Sequence, residues 1–446
     1  MARGRLVRRT FLLLASGLGL ALGLAACAQQ TPGTYSGFRP PSSLNQGKFA
    51  PMIVPGGPAT SYAPLTAGGG SGGSNGGQRV AILAPLSGPN AERGQALVNA
   101  AQLALSEPGS PPLDVRDTGG TPDGAAAAAA QAIAAGAGLI LGPLTASETA
   151  AVAAPARSAG VPVLAFTNDS AQAQPGVWTL GITPGQQVRR LVGSAAAQGK
   201  TRFAALLPAT QFGAAMSSAL SQATAGAGVG SPNIQTYDGS GSIRSAVSSL
   251  ADYAGRRAPL DAEIRAARAR HDAEGRRTAA ELAQRPVAPP PFDALLLADT
   301  GDRLATLTSF LSYYDVDPRS VRVMGPALWA AAGTRAGSDL NGAQYAAPDP
   351  AARSAFDQSY TAKYGAAAPG LADFAYDAAA IARLMAASGG FSAGSLCRPE
   401  GFAGVDGVLA LQPDGQVRRG LAIFEVRRGG PALVEPAPDS LGAPGI

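Results

Sequence analysis

Few side chains in this 446-residue sequence carry the chemistry that catalysis or metal binding usually recruits. There is one histidine, His271, and there are two cysteines, Cys27 and Cys397. Structural zinc takes four N or S ligands, and a nucleophile–histidine relay needs a His oriented by a third group, so both classes are nearly excluded. A disulfide framework is excluded for the same lack of cysteine. No Gly-x-x-x-x-Gly-Lys-Ser/Thr loop or His-Glu-x-x-His run occurs. Asp299, Asp302, Asp315 and Asp317 are loosely spaced and lack the glycine of a calcium loop. A sugar hydrolase built on two carboxylates from distant segments is the one enzymatic arrangement left open. No catalytic residue, metal or cofactor is expected.

The thiol of Cys27 has a different setting. Arg3, Arg5, Arg8 and Arg9 precede an apolar run from Phe11 to Ala26. That run is shorter than the roughly 20 residues of a membrane span. It reads as a secretory signal, residues 1–26. The signal ends Leu24-Ala25-Ala26-Cys27, which resembles a bacterial lipobox, so Cys27 is expected to carry a lipid. Arg8-Arg9-Thr10-Phe11-Leu12 resembles a twin-arginine signal, and both export routes stay open. Ala28 and Gln29 follow Cys27. The absence of Asp there points, by the habit of lipoproteins, to the outer membrane. With Cys27 lipidated, Cys397 is left as a lone thiol, expected buried rather than reactive.

The charge balance turns on the same segment. The whole sequence is formally +5, but the four signal arginines have no acid beside them, and without them 31 basic residues face 30 acidic ones. A nearly neutral chain with no basic stripe does not suit nucleic acid.

Residues 27–77 contain Pro40-Pro41, Pro51, Pro55, Pro58 and a Gly/Ser run over 68–77. Such composition buries too little surface to offset its ordering entropy. It reads as a tether, spanning roughly 40 Å as a coil. From residue 78 the pattern changes. Short apolar runs at 79–84, 113–117, 138–142, 161–166, 203–207, 293–298 and 321–324 predict strands. Helical spacing after an N-cap at Asn90, and over 123–135, 147–160 and 214–225, predicts helices between them. Repeated β-α-β units mean parallel sheets covered by helices, with ligands expected at strand carboxyl ends.

Residues 255–291 break the alternation. They are dense in Arg, Asp and Glu, hold apolar positions mainly at Leu260, Ile264 and Leu282, and end Pro289-Pro290-Pro291. This predicts an exposed helical insert held weakly against the body, either simply solvated or a docking surface for a protein. His271 lies within it and reads as a surface residue. The Pro-rich tail, 431–446, is expected to be disordered.

Several stretches resemble the type I periplasmic solute-binding proteins, the leucine-binding group. They are Leu86-Ser87-Gly88-Pro89-Asn90-Ala91-Glu92-Arg93-Gly94, Leu141-Gly142-Pro143-Leu144-Thr145, Gln211-Phe212-Gly213, Met324-Gly325-Pro326 and Phe374-Ala375-Tyr376-Asp377-Ala378. Within that family the sequence is most similar to lipoproteins called penicillin-binding protein activators, through Gly325-Pro326-Ala327-Leu328-Trp329, the run Gly401 to Gly407, Pro413-Asp414-Gly415 and Arg419-Gly420-Leu421-Ala422. The resemblance implies an α/β fold of two Rossmann-like lobes with parallel sheets joined by a hinge, spanning 78–430. Lobe 1 is placed at about 78–183 and 352–405, and lobe 2 at about 184–351 and 406–430.

Carried onto this sequence, the family's amino-acid site is degraded. Its ligand-binding Ser aligns with Ala146, flanked by Thr145 and Ser147. Its ammonium-binding Glu aligns with Ala327, its lobe-2 Tyr with Phe212, and an aromatic near the first helix with Arg93. Ser87 and Trp329 complete the candidates from the quoted motifs. Asn168, Asp169 and Ser170, on another strand-to-helix turn, either supply polar contacts or do ordinary turn chemistry. The resemblance therefore implies a lipid-anchored, periplasm-facing binding protein with two candidate roles. One is a non-enzymatic regulator whose partner is a peptidoglycan synthase (a penicillin-binding protein). The other is a solute-binding component that presents a small ligand to an ABC permease.

Overall fold

The computed structural model describes residues 79–331 and 340–441. The expected signal, Cys27 and the tether lie outside the described residues. The first lobe is built by alternation: β1 (Arg79–Ala84), α1 (Ala91–Ala104), β2 (Leu113–Asp117), α2 (Pro122–Ala134), β3 (Ala137–Leu141), α3 (Ala146–Ser158), β4 (Val163–Ala165) and β5 (Val177–Thr179). The strands lie in the order β2-β1-β3-β4-β5, all parallel. Their apolar runs follow from burial on both faces. Val80, Ile82 and Ala84 face one core layer, and Ala81 and Leu83 face the other. The small side chains of α2 let it lie close on that second face through Ala125, Ala128, Ala129 and Ala132.

The second lobe continues with α4 (Pro184–Ala197), β6 (Phe203–Pro208), α5 (Gln211–Gly226), β7 (Asn233–Tyr237), α6 (Gly239–Leu250), α7 (Tyr253–Ala269), α8 (Ala273–Ala283), β8 (Ala294–Leu297), α9 (Gly301–Tyr313), β9 (Arg322–Gly325), α10 (Leu328–Ala331) and β10 (Gln344–Ala347). The chain then returns to lobe 1 as α11 (Pro350–Tyr364), α12 (Ala372–Ala387), α13 (Ala393–Leu396), β11 (Phe402–Gly404), β12 (Gly407–Leu411) and β13 (Val417–Arg419). It ends in lobe 2 with β14 (Ala422–Arg427) and β15 (Gly430–Glu435). The lobe-2 sheet runs β15-β14-β10-β9-β8-β6-β7, parallel except at β14 and β15.

Three connections join the lobes: 180–183, 348–349 and 420–421. The first two lie beside the expected changes after 183 and after 351. The third differs from the expected return near 406. β12 and β13 form a small antiparallel sheet with β11, and Phe402, Leu409, Leu411 and Val417 pack into the lobe-1 core beside α1 and α12. The change of lobe comes at Gly420, where Leu421 and Ala422 enter lobe-2 cores.

Three further expectations change. Asn90 occupies the N-cap position of α1 but caps nothing; its Oδ1 accepts from Arg93 Nη1 at 3.2 Å. The charged insert is a hairpin of two helices rather than one, α7 and α8, with its own small core of Leu260, Ile264, Ala267, Ala279 and Leu282. His271, exposed at φ 55°, makes the left-handed turn between them. The tail is ordered well past residue 431. β15 pairs antiparallel with β14, and Arg190 on α4 bridges Glu435 at 3.1 Å and donates to Pro436 O at 3.2 Å.

Candidate binding cleft

The topology brings the carboxyl ends of both sheets to one side. The first connection leaves the carboxyl end of β5 and enters the amino end of α4. That end of α4 lies at the carboxyl end of β9, because Gln187 Oε1 accepts from Ala327 N at 2.8 Å. This is the side on which such a fold is expected to take a ligand. At these strand ends stand Ser87 after β1, Thr145 to Ser147 after β3, Asn168 to Ser170 after β4, Phe212 after β6 and Ala327 after β9.

Two motif glycines show why the sequence folds this way. A Cβ on Gly94, in the first turn of α1, would stand 2.0 Å from Pro85 O. Only glycine lets the helix start so close to the strand it follows. A Cβ on Gly325 would stand 2.2 Å from the Trp329 ring, so the indole lies directly on that backbone. Trp329 is consequently a core residue, 1% exposed, with its Nε1–H donating to Asp299 O at 2.9 Å. It belongs to the lobe-2 core and not to the cleft surface.

Several polar groups at the strand ends are engaged with one another. Thr145 caps α3 in a capping box with Glu148. The fully buried Glu148 accepts from Thr145 Oγ1 and Thr118 Oγ1, each at 2.6 Å. Ser147 is exposed, and its Oγ lies 3.3 Å from Thr145 Oγ1. Asp117 accepts from Leu86 N at 2.8 Å, Ser87 N at 3.3 Å and Gly119 N at 2.8 Å. Burial opposes its charge, but these bonds and the Ser87 hydroxyl prevail and hold its carboxyl below the usual value. Asp169 accepts from Ala171 N at 3.0 Å and Gln172 Nε2 at 3.2 Å, the turn chemistry that was one of its two expected roles. Asn168 and Ser170 beside it are exposed, and Ala146 and Phe212 are half-buried.

In lobe 2 the acid near the cleft is Asp299, which follows β8 and is 4% exposed. It accepts from Tyr237 Oη at 2.7 Å, Thr300 N at 3.1 Å and Arg303 Nε at 3.1 Å. Burial, and then the Asp299 carboxylate, push the Tyr237 hydroxyl well above its ordinary value. Gln187, Tyr237, Asp299 and Arg303 were not legible as site residues, since none falls in a quoted motif.

A second feature lies at the hinge itself. A cavity of about 320 Å³ is lined by Ile182, Asp349, Arg353, Asp373, Phe374 and Asp406. None of the predicted cleft residues lines it. Behind it Asp377, 1% exposed, accepts from Val405 N at 2.7 Å and faces Arg419 Nη1 at 3.7 Å. Arg419 Nη2 donates across to Leu180 O at 3.0 Å, tying the third connection to the first. Burial pushes the Asp377 carboxyl up to about 7 against the pull of Arg419. Asp373 is driven the same way by burial and by the Asp406 charge. Among the described residues no group of three or more His, Cys, Asp or Glu side chains is arranged to hold a metal ion. No helix among them is long and apolar enough to cross a membrane.

The family model described as periplasmic binding protein matches residues 77–431. The chain belongs to the type I periplasmic binding protein family. No curated relative is similar enough to count as a match. Among solved structures it is similar to a Rhodospirillum rubrum protein described as a branched-chain amino acid ABC transporter, at 19% identity and a TM-score of 0.58, covering 80% of this chain and 99% of that one. It is equally similar to the C-domain of LpoA from Haemophilus influenzae, described as a regulator of PBP1A, at 18% identity and TM-score 0.56, with 80% and 99% covered. Full-length LpoA from that organism matches at 17% identity and TM-score 0.56, and the chain spans 59% of its length. At these identities the likeness establishes the fold: two lobes, parallel sheets and a hinge.

Proposed function

We propose that this family member is a non-enzymatic, lipid-anchored regulator of peptidoglycan synthesis, a penicillin-binding protein activator facing the periplasm. The observation that carries the reading is the missing acid after β9. Ala327 stands where an amino-acid binder of this fold would place its acid, and its N–H is taken by Gln187. Four acids at the strand ends, Asp117, Glu148, Asp169 and Asp299, are each held by neighbours of their own lobe. An amino-acid ammonium would not meet the family's carboxylate at 327, and an unpaired buried charge costs several kcal/mol. The similarity to the LpoA C-domain supports the same direction. The test is binding of the full chain to purified bifunctional synthases, together with their polymerisation and cross-linking rates. Neither association nor a rate change with any of them would sink the proposal.

The anchor is Cys27, with the outer membrane as its expected site. Cys27→Ser should leave the fold intact and move the exported protein from the membrane fraction to the soluble one. Persistence in the membrane pellet would overturn the anchor.

A second reading, the solute-binding component of an ABC importer, is favoured by the full-length likeness to the Rhodospirillum rubrum protein. It predicts that a cognate solute at 100 times its Kd adds about 2.7 kcal/mol of stability. A thermal-shift screen of amino acids, amides, sugars and peptides separates the two. A flat response is expected for the regulator.

A further inference from the structure

The α7–α8 hairpin sorts its charges by flank. Successive helix positions turn by about 100°. Measured from the buried row Leu260, Ile264 and Ala267, the side chains of Arg257, Arg265 and Arg268 lie on one flank of α7, and those of Glu263 and Arg270 on the other. Measured from Gly275, Ala279 and Leu282, Arg276 lies on one flank of α8, and Glu274 and Arg285 on the other. The bridge from Arg285 to Glu263, 3.0 Å across the hairpin, fixes which flanks adjoin. Arg270 pairs with Glu274 at 2.8 Å on the same side as that bridge. The opposite flank is left with Arg265, Arg268 and Arg276, all exposed and in no ion pair among the described residues, beside Arg257, which pairs with Asp261.

At the root of the hairpin this flank runs into an aromatic cluster. Tyr253 meets Tyr314 edge-on at 5.2 Å, and Tyr314 meets Tyr313 at 4.9 Å. Tyr313 is 61% exposed, and the exposed Arg244 lies over its ring at 5.7 Å. Arg256, buried beneath, locks the root by donating to Tyr314 O at 2.9 Å. Exposed Tyr and Arg on a fixed support are the residues that carry binding energy in protein interfaces. Guanidinium groups pair with carboxylates in a planar, two-bonded geometry.

We propose that this flank and its root are the docking surface for an acidic segment of the partner synthase, with Tyr313 as the apolar anchor and Arg244, Arg265, Arg268 and Arg276 as the charge-reading rim. The proposal rests on the activator reading and names its surface. A protein is favoured over a lipid surface because Arg244 lies over the exposed Tyr313 ring at the foot of the flank, and Arg and Tyr are enriched in protein interfaces. Asp315 and Asp317, which line an adjoining groove of about 440 Å³, bound the surface on that side by like-charge repulsion against an acidic partner.

The test compares three full-length proteins that melt alike: the native chain, Arg265→Glu/Arg268→Glu/Arg276→Glu, and a charge-matched control, Arg79→Glu/Arg157→Glu/Arg189→Glu. Binding to the purified synthase is measured at low and at physiological salt, with Tyr313→Ala run in parallel. The flank variant should bind at least about tenfold more weakly and lose the salt dependence of the native chain, while the control binds normally. Tyr313→Ala should weaken binding at both salt concentrations. Equal binding by the flank variant and the native chain overturns the proposal and leaves the activator reading standing. No binding by the native chain overturns both. Loss of binding to phosphatidylglycerol vesicles with synthase binding intact makes the flank a lipid contact and also overturns it.

Discussion

Asp377 shows how much a single carboxyl can say about a hinge. Its folded value of about 7 lies above that of an unfolded aspartate near 4, so between these pH values the folded chain holds a proton that the unfolded chain has released. Stability from this site is full below about pH 4 and falls as pH rises toward 7, by up to about 1.4 kcal/mol per unit. Asp373 acts with the same sign. Asp377→Asn should therefore flatten the profile of urea midpoints between pH 4.5 and 7.5, and an unchanged slope would contradict the assignment. Trp329 gives a second prediction. Trp329→Ala removes a ring packed on Gly325 and a hydrogen bond to Asp299, and should cost about 3–5 kcal/mol in urea unfolding. The sequence placed both residues in family motifs, but motif membership did not tell packing from binding. The pairing of Asp299 with Tyr237 joins positions 62 residues apart, and no local pattern announces it.

At the scale of elements, the central strands were legible because burial on both faces writes continuous apolar runs, as in Val80–Ala84 and Leu295–Leu297. β15 was not. Its exposed positions and Pro431 read as a tail, and only its partner β14 makes it a strand. The insert was legible as helical and charged, but not as a hairpin, since the turn depends on the left-handed backbone at His271. The hairpin's core is separate from the main cores. Ile264→Ala should therefore speed amide exchange across residues 253–283 and leave the melting temperature of the rest nearly unchanged. A global drop in melting temperature would show that the hairpin is integral to lobe 2.

The described residues form two lobes threaded three times. Several polar groups at the strand carboxyl ends, Thr145, Glu148, Asp169 and Asp299 among them, bond within their own lobe. Domain boundaries were readable at the first two connections, where a helix begins. The third was misplaced because β12 and β13 look in sequence like the strands of either lobe. The same threading has a consequence for how the chain is made. Lobe 1 lacks α11 and α12 until residue 387 has been synthesised, and the lobe-2 sheet lacks β14 and β15 until residue 435. Neither half can mature ahead of the other, so the usual gain from folding in installments is lost. A product stopped at residue 348 should be cut throughout by limited proteolysis, and a surviving resistant lobe would refute this. Completion of both cores is deferred to the last ninety or so residues described, which makes the carboxyl-terminal quarter the timing element of the protein's maturation.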